Sequence, residues 1–290
     1  GPKDEQHPLI VESNPPSHTT NFDKNQISIT FDEFIQLKDL NQNLIISPPV
    51  EEKPMIRVKG KDLNIRFYGE LQDSTTYNIY FGSSVQDFNE GNPIENFQYV
   101  LSTGENIDSL SVEGVVLNAF NLLPEEGVFV MLYKEKEDSV PIKQIPNYIS
   151  KTNKDGYFRI NNISHNQYKI FCLRDANRNY LYDKPNEDIA FIDSLIQFEL
   201  VSHEHVDTFY VNDSLHRHEN NDAGENEKMI DTIITEIHEF YPVQNFTLRL
   251  FTEDKRTQYL AGYNRDIKEK MVYQFNKPVK DSLIISLIDT

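Results

Sequence analysis

Ile27-Ser28-Ile29-Thr30-Phe31 decides the fold, because apolar and polar residues alternate along it without a break. That is the period-2 pattern of a strand with one face buried. Working outward, Leu44-Ile45-Ile46 is a second apolar run, stopped by Ser47-Pro48-Pro49. Met55-Ile56-Arg57-Val58 and Leu63-Asn64-Ile65-Arg66-Phe67 flank Lys59-Gly60-Lys61-Asp62, which predicts a hairpin. Thr76-Tyr77-Asn78-Ile79-Tyr80-Phe81 and Phe97-Gln98-Tyr99-Val100-Leu101 complete the set, with no long helical stripe between them. Short strands at this spacing over about 100 residues predict a β-sandwich.

The whole chain has 290 residues, enough for about two domains of ordinary size or three all-β modules. Its 28 Lys+Arg against 46 Asp+Glu give a net charge of −18. With no basic patch in the sequence, nucleic acid is excluded as a partner. No apolar run approaches the roughly 20 residues of a membrane-spanning helix. The single Cys172 cannot form an internal disulfide, and zinc sites built on several thiolates are ruled out. Gly-x-Ser-x-Gly, a phosphate-binding Gly-rich loop and His-Glu-x-x-His are all absent from the sequence, so no catalytic motif is available. Carboxylate pairs for glycoside hydrolysis occur by chance among so many acids and decide nothing. The acidic balance reads as a solvated surface. Gly1-Pro2 has the form of a protease scar, so a native segment carrying any signal peptide or lipid-attachment Cys is expected ahead of it.

A second module is expected after the polar stretch Gly104-Glu105-Asn106-Ile107-Asp108. Leu110–Val116, Val128-Phe129-Val130-Met131-Leu132-Tyr133, Tyr157–Ile160 and Tyr168–Leu173 read as its strands, with Asp155-Gly156 supplying the φ > 0 position of a turn. The expected organisation is a tail over 1–8, a sandwich over 9–105, a second over 108–210, an acidic linker over 211–242, and a partial third β-module over 243–290. Within the linker, Ile230, Ile233, Ile234 and Ile237 recur at helical spacing, while their β-branched character opposes a helix; both readings stay open. Phe246–Phe251 and Met271–Phe275 are expected strands of the third module.

Six pieces of the first module follow one order: Ser13-Asn14-Pro15-Pro16, Ile29-Thr30-Phe31-Asp32-Glu33, Ile46-Ser47-Pro48-Pro49, Leu71 through Thr76-Tyr77, Gly91-Asn92-Pro93-Ile94 and Leu101-Ser102-Thr103. This order resembles the SbsA-type bacterial Ig-like domain across residues 9–103, and the resemblance implies that Asp32 and Glu33 are framework. Residues 110–210 are similar to the Cna-B and carboxypeptidase-regulatory group of transthyretin-like sandwiches. The expected fold is therefore all-β, tandem Ig-like and transthyretin-like sandwiches. The pairing resembles outer-membrane lipoproteins of Bacteroidota. It implies an envelope location, facing the periplasm or the surface, with a membrane reached only through a lipid anchor.

The sharpest local signal is Asp175-Ala176-Asn177-Arg178-Asn179-Tyr180-Leu181-Tyr182-Asp183-Lys184-Pro185-Asn186-Glu187-Asp188. Oxygen-bearing side chains recur at 175, 177 and 179, then at 183 and near 187. Calcium takes six to eight hard oxygen ligands, and one tight loop can supply most of them. Asp175, Asn177, Asn179, the Leu181 carbonyl, Asp183 and Glu187 (or Asp188) form the candidate set for a structural Ca2+. The pattern departs from an EF-hand, which has Gly at its sixth position and Glu at its twelfth; here these are Tyr180 and Asn186, and Tyr at φ > 0 would be strained. It more closely resembles the calcium loop of Cna-B-like repeats. The alternative is an Asx-rich turn whose side chains cap their own backbone.

His203-x-His205 and His216-x-His218 could face together in pairs, but polar strand-end and loop residues are the simpler reading. Apolar neighbours make Cys172 a buried small hydrophobe. Tyr77, Tyr80 and Phe81 could form a carbohydrate platform or, more simply, fill a core. The expected function is a non-catalytic envelope scaffold or binding protein, with envelope or outer-membrane proteins as partners, an accessory subunit of an outer-membrane complex being one form of it. One alternative is a carbohydrate- or ligand-binding module serving a separate enzyme, with glycans as partners. Another is an enzyme acting through an unrecognised cleft or a part beyond Thr290.

Overall fold

The computed structural model describes residues 5–210, 230–253 and 258–278; along 203–210 and 230–238 it describes the backbone alone. The chain is all-β, and it divides into two compact units, 1–251 and 252–290. The first unit holds both expected sandwiches.

The first sandwich contains β1 (Ile10–Asn14), β2 (Gln26–Phe31), β3 (Ile35–Leu37), the one-turn helix α1 (Leu40–Asn43), β4 (Ile45–Ser47), β5 (Met55–Lys59), β6 (Asp62–Arg66), β7 (Thr76–Gly82), β8 (Val85–Asp87) and β9 (Phe97–Ser102). Sheet β1-β2-β6-β5 packs across a shared core on β4-β7-β9, with β3 and β8 paired beside them. The alternation in β2 does what its period requires: Ile27, Ile29 and Phe31 are at most 1% exposed, and Ile27 and Ile29 lie opposite Ile65 and Leu63 of β6. Lys59 pairs with Asp62, so Gly60-Lys61 makes the expected hairpin turn, with Gly60 at φ +67°. Asp32 is framework as expected, its Oδ1 accepting the Leu9 N–H at 2.7 Å.

The second sandwich contains β10 (Leu110–Asn118), β11 (Phe129–Tyr133), the short helix α2 (Val140–Lys143), β12 (Tyr148–Lys151), β13 (Tyr157–Ile163), β14 (Lys169–Leu173) and β15 (Asp188–Phe191). The chain then leaves as a ribbon of β16 (Val201–Tyr210) and β17 (Ile230–Phe240), and returns as β18 (Gln244–Thr252). The strand order is β12-β11-β14-β15-β18-β10-β13. Its two halves close on one core, in which Val112, Val116, Phe158, Ile160, Leu248 and Leu250 meet residues such as Val130, Leu132, Ile170 and Cys172. At the Asp155-Gly156 turn, Gly156 has φ +71°, and a Cβ there would lie 2.6 Å from the Val116 carbonyl oxygen. Only glycine fits.

Two boundaries differ from the sequence reading. Phe246–Phe251 does not open a third module: β18 runs parallel to β10, Gly114 opposite Phe246, and buries Leu248 and Leu250 in the second core. The polar stretch before it resembles a linker, yet the apolar alternation after it belongs to the sheet already begun. Residues 230–240 are a strand, paired antiparallel with β16 from Val201↔Phe240 to Tyr210↔Ile230. The β-branched Ile and Thr residues prevailed over the helical spacing. In the second unit, β19 (Leu260–Ile267) and β20 (Lys270–Phe275) form an antiparallel hairpin, so the expected strand at Met271–Phe275 is present.

Candidate functional site: the joint and the Asp-Asn loop

The run Val128–Tyr133 is apolar at every position, and a strand of that kind must bury both faces. β11 and β14 do so throughout. Their inner faces enter the second core. Their outer faces, Phe129, Met131, Tyr133, Phe171 and Leu173, enter a separate cluster with Val140 of α2, Tyr182, Ile189 and Ile45 of the first sandwich. Tyr80 and Tyr180 pack at its margin, the Tyr180 ring meeting Phe129 edge-on at 5.3 Å. An apolar cluster thus joins the two modules.

Polar contacts fix the register of that joint. The Ile149 N–H donates to Ser47 Oγ at 3.1 Å, Asn78 Nδ2 to Asn162 Oδ1 at 3.1 Å, and the Asp108 N–H to Thr76 Oγ1 at 2.9 Å. Lys151 Nζ donates to the Gln42 carbonyl at 3.1 Å, and its ammonium lies 5.7 Å from the Phe129 ring centre. Burial holds the Lys151 ammonium below its usual range, with the nearby Arg178 charge adding to the effect. Arg178 itself donates to the Asn41 carbonyl at 2.9 Å, so the Asp-Asn loop also reaches the first module.

Within that loop, Asp175 is the organiser. Its Oδ1 accepts the N–H groups of Asn177 at 3.1 Å and Arg178 at 2.5 Å, and its Oδ2 accepts that of Tyr180 at 2.8 Å. Asn177 Oδ1 accepts the Asn179 N–H, and Asn179 Oδ1 that of Leu181. Both amides turn their nitrogens on Asp183, Asn177 Nδ2 at 3.2 Å and Asn179 Nδ2 at 2.9 Å. Asp175, Asn177, Asn179 and Asp183 are therefore brought into one hydrogen-bonded loop, as the spacing predicts. Glu187 has a different task. It is fully buried, and its carboxylate accepts the backbone N–H groups of Ala176, Asp183 and Lys184 at 3.2, 3.0 and 2.9 Å, pinning the two ends of the loop together.

Tyr180 has φ +62° and Arg178 φ +58°, so the position where an EF-hand carries glycine does hold a left-handed tyrosine. Such a conformation costs about 1–2 kcal/mol; the bond to Asp175 and the packing on Phe129 offset it. For a cation, the donor chemistry is suitable: every candidate atom is a hard oxygen, and each amide oxygen keeps a second lone pair. The arrangement of acids is less so. Among the described residues no three His, Cys, Asp or Glu are grouped to hold a metal ion, and the turn satisfies its own backbone as it stands.

The remaining sequence candidates separate cleanly. Tyr77 and Phe81 are core residues of the first sandwich, while Tyr80 borders the joint, its OH donating to Asn96 Oδ1 at 2.8 Å. The three therefore form no common platform. Cys172 is fully buried, and burial pushes its thiol far above the ordinary range. His203 and His205 lie two apart on β16, but their side chains are outside the described residues, as are His216 and His218 altogether. The contribution of Ile45 to the joint was missed; its place beside Ile46 in an unbroken apolar run, which leaves no polar face, was the available signal.

Two β-sandwiches fused in tandem define the class of protein. Residues 4–103 match the family model of the bacterial Ig-like domain. No curated protein matches the chain. Among solved structures, the N-terminal part of the bacterial S-layer protein SbsC is similar at 14% identity and a TM-score of 0.25, over 64% of this chain and 40% of that one. The chain thus spans less than half of that S-layer chain. BcpA, the major pilin subunit of Bacillus cereus, is similar at 11% identity and a TM-score of 0.22, over 85% of this chain and 71% of that one. The T6 backbone pilin of serotype M6 Streptococcus pyogenes has 11% identity and a TM-score of 0.20, over 87% of this chain and 64% of that one.

Proposed function

We propose that this protein is a non-catalytic scaffold or binding protein of the bacterial cell envelope, presenting its two sandwiches as one stiff body. The observation that carries this reading is the joint: a buried apolar cluster shared by both modules, bordered by hydrogen bonds that Ser47 and Thr76 accept and Asn78 donates. An enzyme of two modules usually keeps motion between them, whereas a scaffold gains from losing it. The match of residues 4–103 to a bacterial Ig-like domain supports the envelope assignment. Attachment to the outer membrane by a lipid on a cysteine ahead of Gly1, and service as an accessory subunit there, belong to the same proposal. The test joins shape to partner. Ile45→Asp should broaden the small-angle scattering envelope and abolish co-purification of a stoichiometric partner from envelope membranes. A wild-type chain that already scatters as two independent modules, or that purifies from those membranes with no partner, refutes the reading.

The Asp-Asn loop supports a second proposal, a structural calcium ion held by Asp175, Asn177, Asn179, the Leu181 carbonyl and Asp183, with Glu187 as the buried brace. The observation favouring it is that two amides and two carboxylates share one loop with their oxygens incompletely used. The ion would stiffen the corner that Arg178 and Tyr180 press on the joint, and would perform no chemistry. Calcium added to chelator-treated protein should raise the melting temperature, and Asp183→Ala should erase that rise. Identical melts with calcium and with chelator reject the ion and leave the self-capped turn.

A further inference from the structure

A cleft of about 370 Å³ opens where β4, β7 and β9 of the first sandwich face β12 and β13 of the second, a size suited to a small ligand. In a chain with 46 acidic residues, no carboxylate among the described residues lines it, although Glu113 stands behind the wall, accepting from the Tyr157 OH at 2.8 Å and Arg159 at 3.2 Å. Its polar wall is made of amides, and their orientations are fixed by their partners. Asn162 Nδ2 donates to the Asp108 carbonyl, so Asn162 Oδ1 must accept from Asn78 Nδ2, and the same Asn78 nitrogen must donate to Gln98 Oε1. Asn161 Oδ1 accepts from Arg159 Nε, which can only donate. Asn153 Oδ1 accepts two backbone N–H groups, from Asp155 and Tyr157. Each of these oxygens already accepts inside the protein, Asn161 Oδ1 a second time from Ser111 Oγ. The NH2 groups of Gln98, Asn153 and Asn161 are what remains for the cleft, beside the guanidinium of Arg159, which gives one nitrogen to Glu113 and one to Asn161 and keeps its other N–H groups.

We propose that this cleft binds a carboxylate-bearing oligosaccharide. Three outward amide donors and one guanidinium, on β9, the β12–β13 turn and β13, match a ligand rich in acceptors at several points along its length. Tyr80 and Tyr157 supply apolar ring surface at the wall. Hydroxyl groups add something a simple anion lacks. Asn78 Oδ1 is buried and without a hydrogen-bond partner, and a sugar hydroxyl reaching it past the exposed Gln98 would donate to it. An extended peptide fits less well. β13 pairs on one side only, with β10, but its open edge is short: Tyr157 is engaged by Asn153 at one end, and Asn162 turns left-handed at φ +59° at the other. Arg159 and Asn161 are all that is left, less than a normal strand needs. This inference stands apart from the scaffold reading, since the cleft can bind or fail to bind whatever the chain assembles with.

The experiment is calorimetric titration of the full chain with a short oligogalacturonate, with maltotriose as the uncharged sugar and triglutamate as the acidic peptide. Oligogalacturonate should bind about ten-fold or more tightly than either comparator, and more weakly as salt rises. Gln98→Glu and Asn161→Asp keep the internal acceptors but replace an outward donor by an anionic oxygen. Each should weaken binding by about ten-fold without lowering the melting temperature. Binding of maltotriose or triglutamate as tightly as oligogalacturonate overturns the ligand class. No heat with any of the three, or binding indifferent to both variants, overturns the site.

Discussion

Replacing Gly114 by alanine isolates one backbone contact on which the second sandwich depends. Gly114 sits in β10 opposite Phe246 of β18. A Cβ at this position would lie 1.9 Å from the Phe246 carbonyl oxygen, 2.8 Å from its carbon and 3.0 Å from its nitrogen. An ordinary contact begins near 3.4 Å, so the two strands would have to part by about 1.5 Å. Both sides of the clash are main chain, with no flexible side chain to yield. β18 would then lose ladder hydrogen bonds to β10 and draw Leu248 and Leu250, now 1% and 2% exposed, out of the core. Burying one leucine is worth about 1.5–3 kcal/mol, so partial withdrawal of two predicts a loss of about 3 kcal/mol. The assay is urea unfolding of Gly114→Ala beside Gly262→Ala, whose added Cβ meets nothing within 4 Å and which should shift stability by less than about 0.5 kcal/mol. If both substitutions leave the midpoint alone, the parallel β10–β18 pairing is wrong.

Glu187→Ala strips three backbone N–H groups of a buried acceptor and should cost about 3 kcal/mol, with new protease cleavage between residues 175 and 187 as the readout. Asp87 is 1% exposed; burial alone would raise its carboxyl, but the backbone N–H groups of Glu90, Asn92, Gly91 and Asn89 outweigh it and hold it below 3.8. A carboxyl lowered on folding stabilises above its unfolded value and loses that contribution as pH falls through the folded one. Stability should therefore fall with acid from about pH 4 downward, and Asp87→Asn should flatten that fall in pH-dependent melts. Cys172, buried with its thiol pushed up, should resist a thiol-labelling reagent in the native protein and react fully in urea; prompt native labelling would contradict its position in the core.

The first sandwich was legible because strands such as β2 bury one face, so that Ile27, Ile29 and Phe31 declare their partners' side of the sheet in five consecutive residues. Val128–Tyr133 was legible as a strand. What covers its second face was not, since Ile45, Val140 and Tyr182 arrive from distant parts of the chain and carry no mark of their destination. The parallel neighbour β18 stayed hidden for a related reason: alternation in Phe246–Phe251 shows an amphipathic strand but never names the sheet it enters. In the Asp-Asn loop, the residues picked out by oxygen spacing, Asp175, Asn177, Asn179 and Asp183, share one hydrogen-bonded turn. That spacing could not reveal that Glu187 points its oxygens at main-chain N–H groups, because a count of oxygens carries no direction. Tyr180 at φ +62° escaped prediction because its penalty is met by contacts to Asp175 and Phe129 that only the folded loop displays.

The late return of β18 also bears on synthesis. A nascent chain that has emerged only as far as residue 243 holds β10 through β15 but not the strand that lies between β15 and β10. Until Leu250 clears the ribosome, two strand flanks and a leucine-shaped gap stay open to whatever is nearby. A recombinant fragment trimmed at residue 210 inherits the same defect permanently, and should partition into the insoluble fraction where one ending after Thr252 does not.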